Sequence, residues 1–125
     1  MHRILVVDDD LGLRELMSTA LSMRGADVVA VASAREAIAQ QGPFAAVIVD
    51  LLLPDERGDV LLAKLRDAGV TQIGMLVTGM ELPADLSPRG MPDVVLRKPF
   101  ELEELFEALT TALGADGSER ESAAG

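Results

Sequence analysis

Short apolar runs alternate with longer segments of helical spacing along the chain. The five runs cover residues 4–7, 28–31, 45–49, 75–77 and 94–96. They contain almost no alternating polar residues, which is typical of strands that are covered on both faces of a parallel sheet. The alternation of strand and helix therefore predicts a doubly wound α/β fold, in which right-handed crossovers place helices on both faces of the sheet.

Apolar residues spaced three and four positions apart predict the helices. After the first strand the pattern consists of Leu13, Leu16, Met17, Ala20 and Leu21. Near the end of the chain it consists of Leu102, Leu105, Phe106, Leu109 and Leu113. Because such a stripe faces a core or a partner, we expect Leu16, Leu105 and Leu109 to be buried. Leu13 and Met17 are candidates for a docking surface or for the core.

Polar residues and glycine mark the expected ends of the helices. Asp10 is the predicted N-cap of the first helix. Ser33 and Glu36 form a capping-box pattern that opens the second helix. Gly69 is expected at the C-terminal end of the third helix, where glycine readily adopts the required conformation.

The segment between the fourth and fifth strands interrupts the pattern. Residues 80–92 contain Pro83, Pro88, Gly90 and Pro92, and proline removes the backbone donors that a helix needs. We therefore expect the fourth helix to be short or irregular. Residues 114–125 are small, polar and rich in glycine, which predicts a disordered tail after a domain that covers residues 1–113.

Composition limits the class of protein. The 125 residues fit one domain, and its core must be aliphatic because the chain has three Phe and no Trp or Tyr. The lack of cysteine excludes disulfides and thiolate metal sites within this sequence, and agrees with a cytoplasmic location. No signal peptide or membrane insertion is expected, since no apolar run is long enough. The formal charge of −10 disfavours nucleic acid as a direct partner.

Acidic, hydroxyl and basic side chains follow four of the five predicted strands. Asp8 and Asp9 follow the first strand, Asp50 the third, Thr78 the fourth and Lys98 the fifth. Each residue alone is explained by a helix cap, a turn or a solvated charge. Together they are expected to meet at the carboxyl edge of the sheet, where open α/β sheets bind ligands. Neighbouring carboxylates repel one another unless a cation compensates, so the set indicates a functional cluster.

The cluster offers the donors that Mg²⁺, or Mn²⁺ in its place, prefers. Mg²⁺ binds through one or two carboxylates together with phosphate oxygens and retained waters. Asp9 and Asp50 would supply carboxylates, and the backbone carbonyl of Leu52 a further oxygen. Asp8 would orient a water. An aspartate can attack phosphorus if a metal and a lysine neutralise the incoming charge, so the residues indicate phosphoryl transfer.

Four motifs carry a resemblance to a known family. The motifs are VVDDD at residues 6–10, VIVDLLLPD at 47–55, VTG at 77–79 and LRKPF at 96–100. In this order and spacing they resemble the receiver domains of bacterial response regulators, and the resemblance covers residues 1–113. It implies a CheY-like, flavodoxin-like three-layer sandwich with a five-stranded parallel sheet of order 2-1-3-4-5.

The resemblance also implies a role for each position of the cluster. Asp50 looks like the phosphoacceptor, which takes its phosphoryl group from a phosphohistidine on a sensor histidine kinase or a histidine phosphotransfer protein. Asp8 and Asp9 look like the acidic metal-binding pair. Thr78 resembles the hydroxyl that closes on the phosphoryl group, and Lys98 its ion-pair partner, next to a Lys98–Pro99 bond that is often cis in the family. Such a domain is a signalling receiver that assists its own phosphorylation and slow dephosphorylation, and not an enzyme in the ordinary sense.

The sequence departs from the family pattern in three respects. Val95 stands where an aromatic switch residue is common, so a rotating ring cannot transmit the signal. The proline-rich residues 80–92 make a dimer through the fourth helix and fifth strand doubtful. Leu52 and Met80 stand at the two positions that influence a hydrolytic water, and neither side chain can bind that water. We therefore predict a long-lived phosphoryl group.

Several readings of function remain open. The first is a stand-alone receiver or phosphorelay component with an unknown downstream protein partner, and a variant is a segment of a hybrid kinase, which the Met1 start disfavours. A degenerate receiver that acts only as a docking platform is a second. An aspartyl-nucleophile phosphatase is a third, although its nucleophile would follow the first strand. A flavodoxin-like flavin or nucleotide binder would need a phosphate-cradling loop where three aspartates stand.

Overall fold

The computed structural model describes residues 2–114 and consists of a β-α repeat. The strands are β1 (Arg3–Val7), β2 (Asp27–Val31), β3 (Ala46–Asp50), β4 (Gly74–Thr78) and β5 (Val94–Arg97). The helices are α1 (Leu11–Met23), α2 (Ala34–Ile38), α3 (Gly58–Asp67) and α4 (Leu102–Gly114), with a 3-10 turn at Pro88–Gly90 between β4 and β5. Each strand lies within one residue of its predicted position.

The five strands form one parallel sheet in the order β2-β1-β3-β4-β5. In the register of the central strands, Val7 lies opposite Val49, and Asp50 lies opposite Val77. The predicted doubly wound fold and its strand order are therefore confirmed. Since β1 and β3 are adjacent and their following helices lie on opposite faces, a crevice opens at their carboxyl ends.

Two apolar clusters fill the space between the sheet and its helices. One contains Ile4, Val6, Met17, Leu21, Ile48, Met75, Leu105 and Leu109, and so lies between the sheet and helices α1 and α4. The other contains Leu5, Val7, Ala34, Ala37, Val47, Val49, Leu61 and Leu65, and so lies beneath α2 and α3. Alternate residues of each strand enter opposite clusters, which explains why the strands are apolar throughout.

The buried face of α1 differs in one position from the predicted face. Leu105 and Leu109 are buried as expected, but Leu16 is 49% exposed, so its assignment to the core is wrong. Met17 is buried in the core and is not available to a docking partner. Successive helical residues are separated by about 100°, so the contacts of Met17 and Leu21 with the sheet turn Leu16 toward solvent.

The predicted helix ends are present. Asp10 caps α1 by accepting a hydrogen bond from Leu13 N–H at 3.2 Å. The Ser33 hydroxyl accepts from Glu36 N–H at 3.2 Å, and the Glu36 carboxylate accepts in return from Ala32 N–H at 3.1 Å. Gly69 has a φ of +74°, which allows the chain to turn away from α3 where a side chain would be strained.

Residues 80–92 contain the 3-10 turn and a further turn at residues 84–85 but no α-helix, as their prolines predicted. Arg66 of α3 holds the end of this segment by donating to the carbonyls of Arg89 (2.9 Å) and Met91 (2.5 Å) and to the carboxylate of Asp93 (2.9 Å). Gly114 is the last residue of α4, and the rest of the predicted tail lies outside the described residues. Within the described part of the chain, none of the helices is long and apolar enough to cross a membrane.

Candidate functional site

The strand ends bring the predicted chemical residues to one edge of the sheet. Asp8 directly follows β1, Asp50 is the last residue of β3 and Thr78 is the last residue of β4. Lys98 directly follows β5, and its N–H donates to the Thr78 carbonyl at 2.9 Å. The strands are parallel and end at the same edge of the sheet, so the residues at their carboxyl ends lie side by side.

Three carboxylates lie close together at this edge. One oxygen from each of Asp8, Asp9 and Asp50 lies within 4.8 Å of the others. Asp8 and Asp50 are buried, whereas Asp9 is exposed. Asp8 Oδ1 accepts from Asp10 N–H at 2.9 Å, but its buried Oδ2 accepts no hydrogen bond from the described residues. A buried acceptor without a donor, beside two further carboxylates, fits a divalent cation such as Mg²⁺.

Lys98 supplies the positive charge within the cluster. Its ammonium lies 3.1 Å from Asp50 Oδ2 and 3.7 Å from Asp8 Oδ2. Burial acts to lower the pKa of Lys98, but the hydrogen bond to Asp50 and the charges of Asp8 and Asp50 outweigh it and raise the pKa. The lysine is therefore a fixed cation at neutral pH. The Lys98–Pro99 bond is cis.

The pKa of the Asp8 carboxyl lies above its ordinary value. Burial raises its pKa, and the neighbouring carboxylates of Asp50 and Asp9 act in the same direction. The N–H of Asp10 and the charge of Lys98 oppose this shift without cancelling it. A second cation at this position would stabilise the ionised form of Asp8 and lower its pKa again.

The loop after β3 holds the other oxygen of Asp50. Leu52 N–H donates to Asp50 Oδ1 at 3.2 Å, and the Leu52 side chain is exposed to solvent. Leu52 also pairs with Arg57 as an isolated antiparallel bridge, and Gly58 N–H donates to the Leu51 carbonyl at 2.7 Å. The loop is therefore a closed turn that begins and ends beside Asp50.

The Thr78 hydroxyl is engaged with the backbone of Met80. It donates to the Met80 carbonyl at 3.1 Å and accepts from Met80 N–H at 3.0 Å. Arg97 also donates to that carbonyl, at 2.9 Å. Met80 is 46% exposed, and Val95 is half-buried on β5 opposite Leu76. Thus Thr78 lies at the predicted edge, but its hydroxyl is satisfied locally.

The sequence prediction missed polar residues around the site. Asp55 accepts hydrogen bonds from Ala34 N–H and Arg35 N–H, both at 3.0 Å, and so ties the loop after β3 to the start of α2. Arg14 donates to the Asp8 carbonyl at 2.9 Å. Its four-residue spacing from the Asp10 cap was a usable signal, because that spacing places it over the same turn. The contacts of Asp55 join distant segments and have no local signal.

Comparisons with known proteins agree with this geometry. The family model described as the response regulator receiver domain matches residues 4–110. "Transcriptional regulatory protein CiaR" of Streptococcus pneumoniae is 33% identical over 129 residues, which cover 98% of this chain and 56% of that protein. The chain thus spans about half the length of that curated relative.

Solved structures show the same fold. A CheY-like receiver domain protein of Methanospirillum hungatei has a TM-score of 0.84 and 28% identity, with 95% of this chain and 98% of that chain covered. Response regulator TrrA of Thermotoga maritima, solved in complex with Mg(2+)-BeF, has a TM-score of 0.78 and 28% identity, with 90% and 99% covered. The second of these carries a divalent metal, which agrees with the acidic cluster described above.

Proposed function

Since the chain belongs to the response regulator receiver domain family, we propose that it accepts a phosphoryl group on Asp50 from a phosphohistidine. The donor is a sensor histidine kinase or a histidine phosphotransfer protein. The observation that carries this proposal is the contact of Lys98 with Asp50 at 3.1 Å within a group of three carboxylates. An ammonium beside the nucleophile offsets the charge that an incoming phosphoryl group brings.

The transfer forms one bond and breaks another. A carboxylate oxygen of Asp50 attacks phosphorus, the phosphorus–nitrogen bond to the histidine breaks, and its electron pair stays on the imidazole nitrogen. Two contacts fix the attacking group, because Leu52 N–H holds Oδ1 and Lys98 holds Oδ2. Positioning and neutralisation of charge account for most of the catalysis in phosphoryl transfer.

Asp8, Asp9, Asp50 and the backbone carbonyl of Leu52 would hold Mg²⁺, or Mn²⁺ in its place. When bound, the ion neutralises the charge that develops on the phosphoryl oxygens. Asp8 contributes a buried acceptor without a donor among the described residues, and the exposed Asp9 leaves the site open to solvent. The chain's own part is to keep these oxygens together before the ion arrives.

We propose that Thr78 turns from Met80 to a phosphoryl oxygen once Asp50 is loaded, while Lys98 pairs with the same group. Two backbone bonds to Met80 then open. No aromatic ring can follow, because Val95 stands at that position of β5. The output is therefore expected at residues 80–92 and through contact with a downstream protein, in the cytoplasm.

The side chains of Leu52 and Met80 favour a long-lived phosphoryl group. Leu52 is 58% exposed and Met80 is 46% exposed, and they lie two residues after Asp50 and two residues after Thr78. Neither can donate to or accept from an attacking water. Without such a partner the water is not positioned, and slow hydrolysis follows.

Incubation with acetyl phosphate and Mg²⁺, followed by intact mass measurement, tests the proposal. We expect a gain of one phosphoryl group in the wild-type chain and none in Asp50→Ala. Glu56→Ala is the matched control, since it removes a carboxylate from the following loop that contacts Lys64 and not the cluster. A gain that persists in Asp50→Ala, or no gain in the wild type, contradicts the proposal.

A further inference from the structure

A buried carboxylate outside the cluster is in contact with residues 80–92, the segment between β4 and β5. Asp59, on the first turn of α3, has a fully buried side chain. Arg57 donates to it twice, through Nε at 2.6 Å and Nη2 at 3.0 Å, and Ser87 N–H donates at 2.9 Å. Burial alone would raise the pKa of Asp59, but these bonds and the charge of Arg57 outweigh it and hold the pKa below its ordinary value.

Arg57 reaches the same segment directly. It donates to the Asp85 carboxylate and to the Asp85 carbonyl, both at 3.1 Å. The start of α3 and residues 80–92 also come close at Gly90, because a side chain there would overlap the backbone of Asp59. We call Arg57, Asp59, Asp85 and Ser87 the clasp, which fastens residues 80–92 to the start of α3.

The clasp is also connected to the phosphorylation site through the backbone. Arg57 pairs with Leu52 as an antiparallel bridge. Leu52 N–H donates to Asp50 Oδ1, and its carbonyl is the oxygen that we assign to the metal. One short turn thus carries a contact with Asp50 at one end and the guanidinium of the clasp at the other.

We propose that the clasp couples occupancy of the Asp50 site to the order of residues 80–92. This inference rests on the function proposed above. If the Leu52 carbonyl holds a cation, the turn would be fixed, and the fixed turn would hold Arg57 against Asp85 and Asp59. Loading of the site therefore tightens the segment. By linkage, a closed clasp favours loading by the same factor.

The Ser87 amide reports the state of the clasp, because its hydrogen bond to Asp59 must open before the proton exchanges. Amide exchange in the full chain is measured by NMR with and without Mg²⁺ and beryllofluoride, a mimic of the phosphoryl group. We expect exchange at Ser87 to slow by at least ~5-fold on loading, the lower end of coupling between two sites. In Arg57→Gln the basal exchange is faster, the response to loading is lost, and apparent Mg²⁺ affinity falls by a similar factor.

Two further variants separate coupling from folding. Arg57→Gln leaves Asp59 unpaired, so Arg57→Gln/Asp59→Asn removes that charge and keeps the fold, yet the response at Ser87 is still expected to be absent. Arg66→Gln is the matched control, because it releases Arg89 and Met91 without touching the turn at Leu52. In that variant Ser87 should still respond.

The outcomes are distinct. A response at Ser87 that survives in both Arg57 variants, or a wild-type chain that loads without any response at Ser87, overturns the coupling alone. Loading itself is followed independently by the Leu52 amide and by the mass gain with acetyl phosphate. If neither changes, the proposed function fails, and the coupling fails with it.

Discussion

Substitutions of Arg57 and Asp59 test whether the guanidinium of Arg57 compensates the buried charge of Asp59. Asp59 is fully buried, whereas the Arg57 side chain is 30% exposed. The two single substitutions are therefore unequal. Arg57→Gln leaves a buried carboxylate that keeps backbone donors such as the Ser87 N–H but loses its counter-charge, while Asp59→Asn leaves a partly solvated guanidinium that keeps its contacts with Asp85.

The expected magnitudes follow from this asymmetry. Removing one partner of a buried ion pair lowers the free energy of unfolding by about 3–5 kcal/mol. Because Arg57 is partly exposed, we expect Arg57→Gln to lower it by about 3 kcal/mol. Asp59→Asn loses charge-assisted hydrogen bonds but strands no buried charge, so about 1–2 kcal/mol is expected. The double variant should be more stable than Arg57→Gln alone by about 1–2 kcal/mol, since the uncompensated charge is gone.

The assay is equilibrium unfolding in urea, followed by far-UV circular dichroism because the chain has no Trp or Tyr to provide intrinsic fluorescence. In thermal unfolding, ~1 kcal/mol corresponds to about 4 °C for a domain of this size. Suppose that the two single variants lose equal free energy of unfolding and that the loss in the double variant is their sum. Arg57 would then not compensate the charge of Asp59. The reasoning about the buried charge would then be wrong.

Three further changes test other parts of the site. Leu52→Asn should shorten the half-life of the phosphorylated chain, measured by mass over time, because the amide can position a water; wild-type decay as fast as that of the variant refutes this. Gly58→Ala should destabilise the domain by about 1–3 kcal/mol and slow phosphorylation, because its Cβ would lie 3.0 Å from the backbone carbon of Asp50; Gly79→Ala, with its nearest contact at 3.8 Å, is the control. The N–H groups of Arg35 and Ala34 lower the pKa of Asp55 below its ordinary 3.8, so its stabilising effect is present above that pH and lost as pH falls through the folded value. Asp55→Ala should therefore reduce the urea midpoint more at about pH 6 than at about pH 3, and an equal loss at both pH values would contradict this.

Local patterns were sufficient to predict the sheet and the cluster. Each strand is a continuous apolar run between polar residues, so its end is visible in the sequence, and in a parallel sheet the ends of adjacent strands meet. Asp8, Asp50 and Lys98 could therefore be placed together without knowledge of any long-range contact. The irregular structure of residues 80–92 could also be predicted locally, from the prolines within the segment.

The remaining features depend on packing between distant segments. Asp59 follows Arg57 and Gly58 in a sequence that gives no sign of burial, and it is buried because residues 85–90 cover it. Leu16 fits the helical pattern but faces solvent, because the rotation of α1 is fixed by its contacts with the sheet. Neither result follows from spacing alone, since each depends on how two elements are oriented.

The proposed phosphoacceptor and the two residues proposed to set the lifetime of its phosphoryl group differ in how the fold holds them. Asp50 is the last residue of a central strand, so its backbone is fixed by the sheet. Leu52 and Met80 are exposed, and their side chains contribute little to the core. Under the proposed function, substitutions at these two positions would change how long the signal persists and would leave the phosphorylation reaction intact. The duration of the response would then evolve separately from the ability to respond.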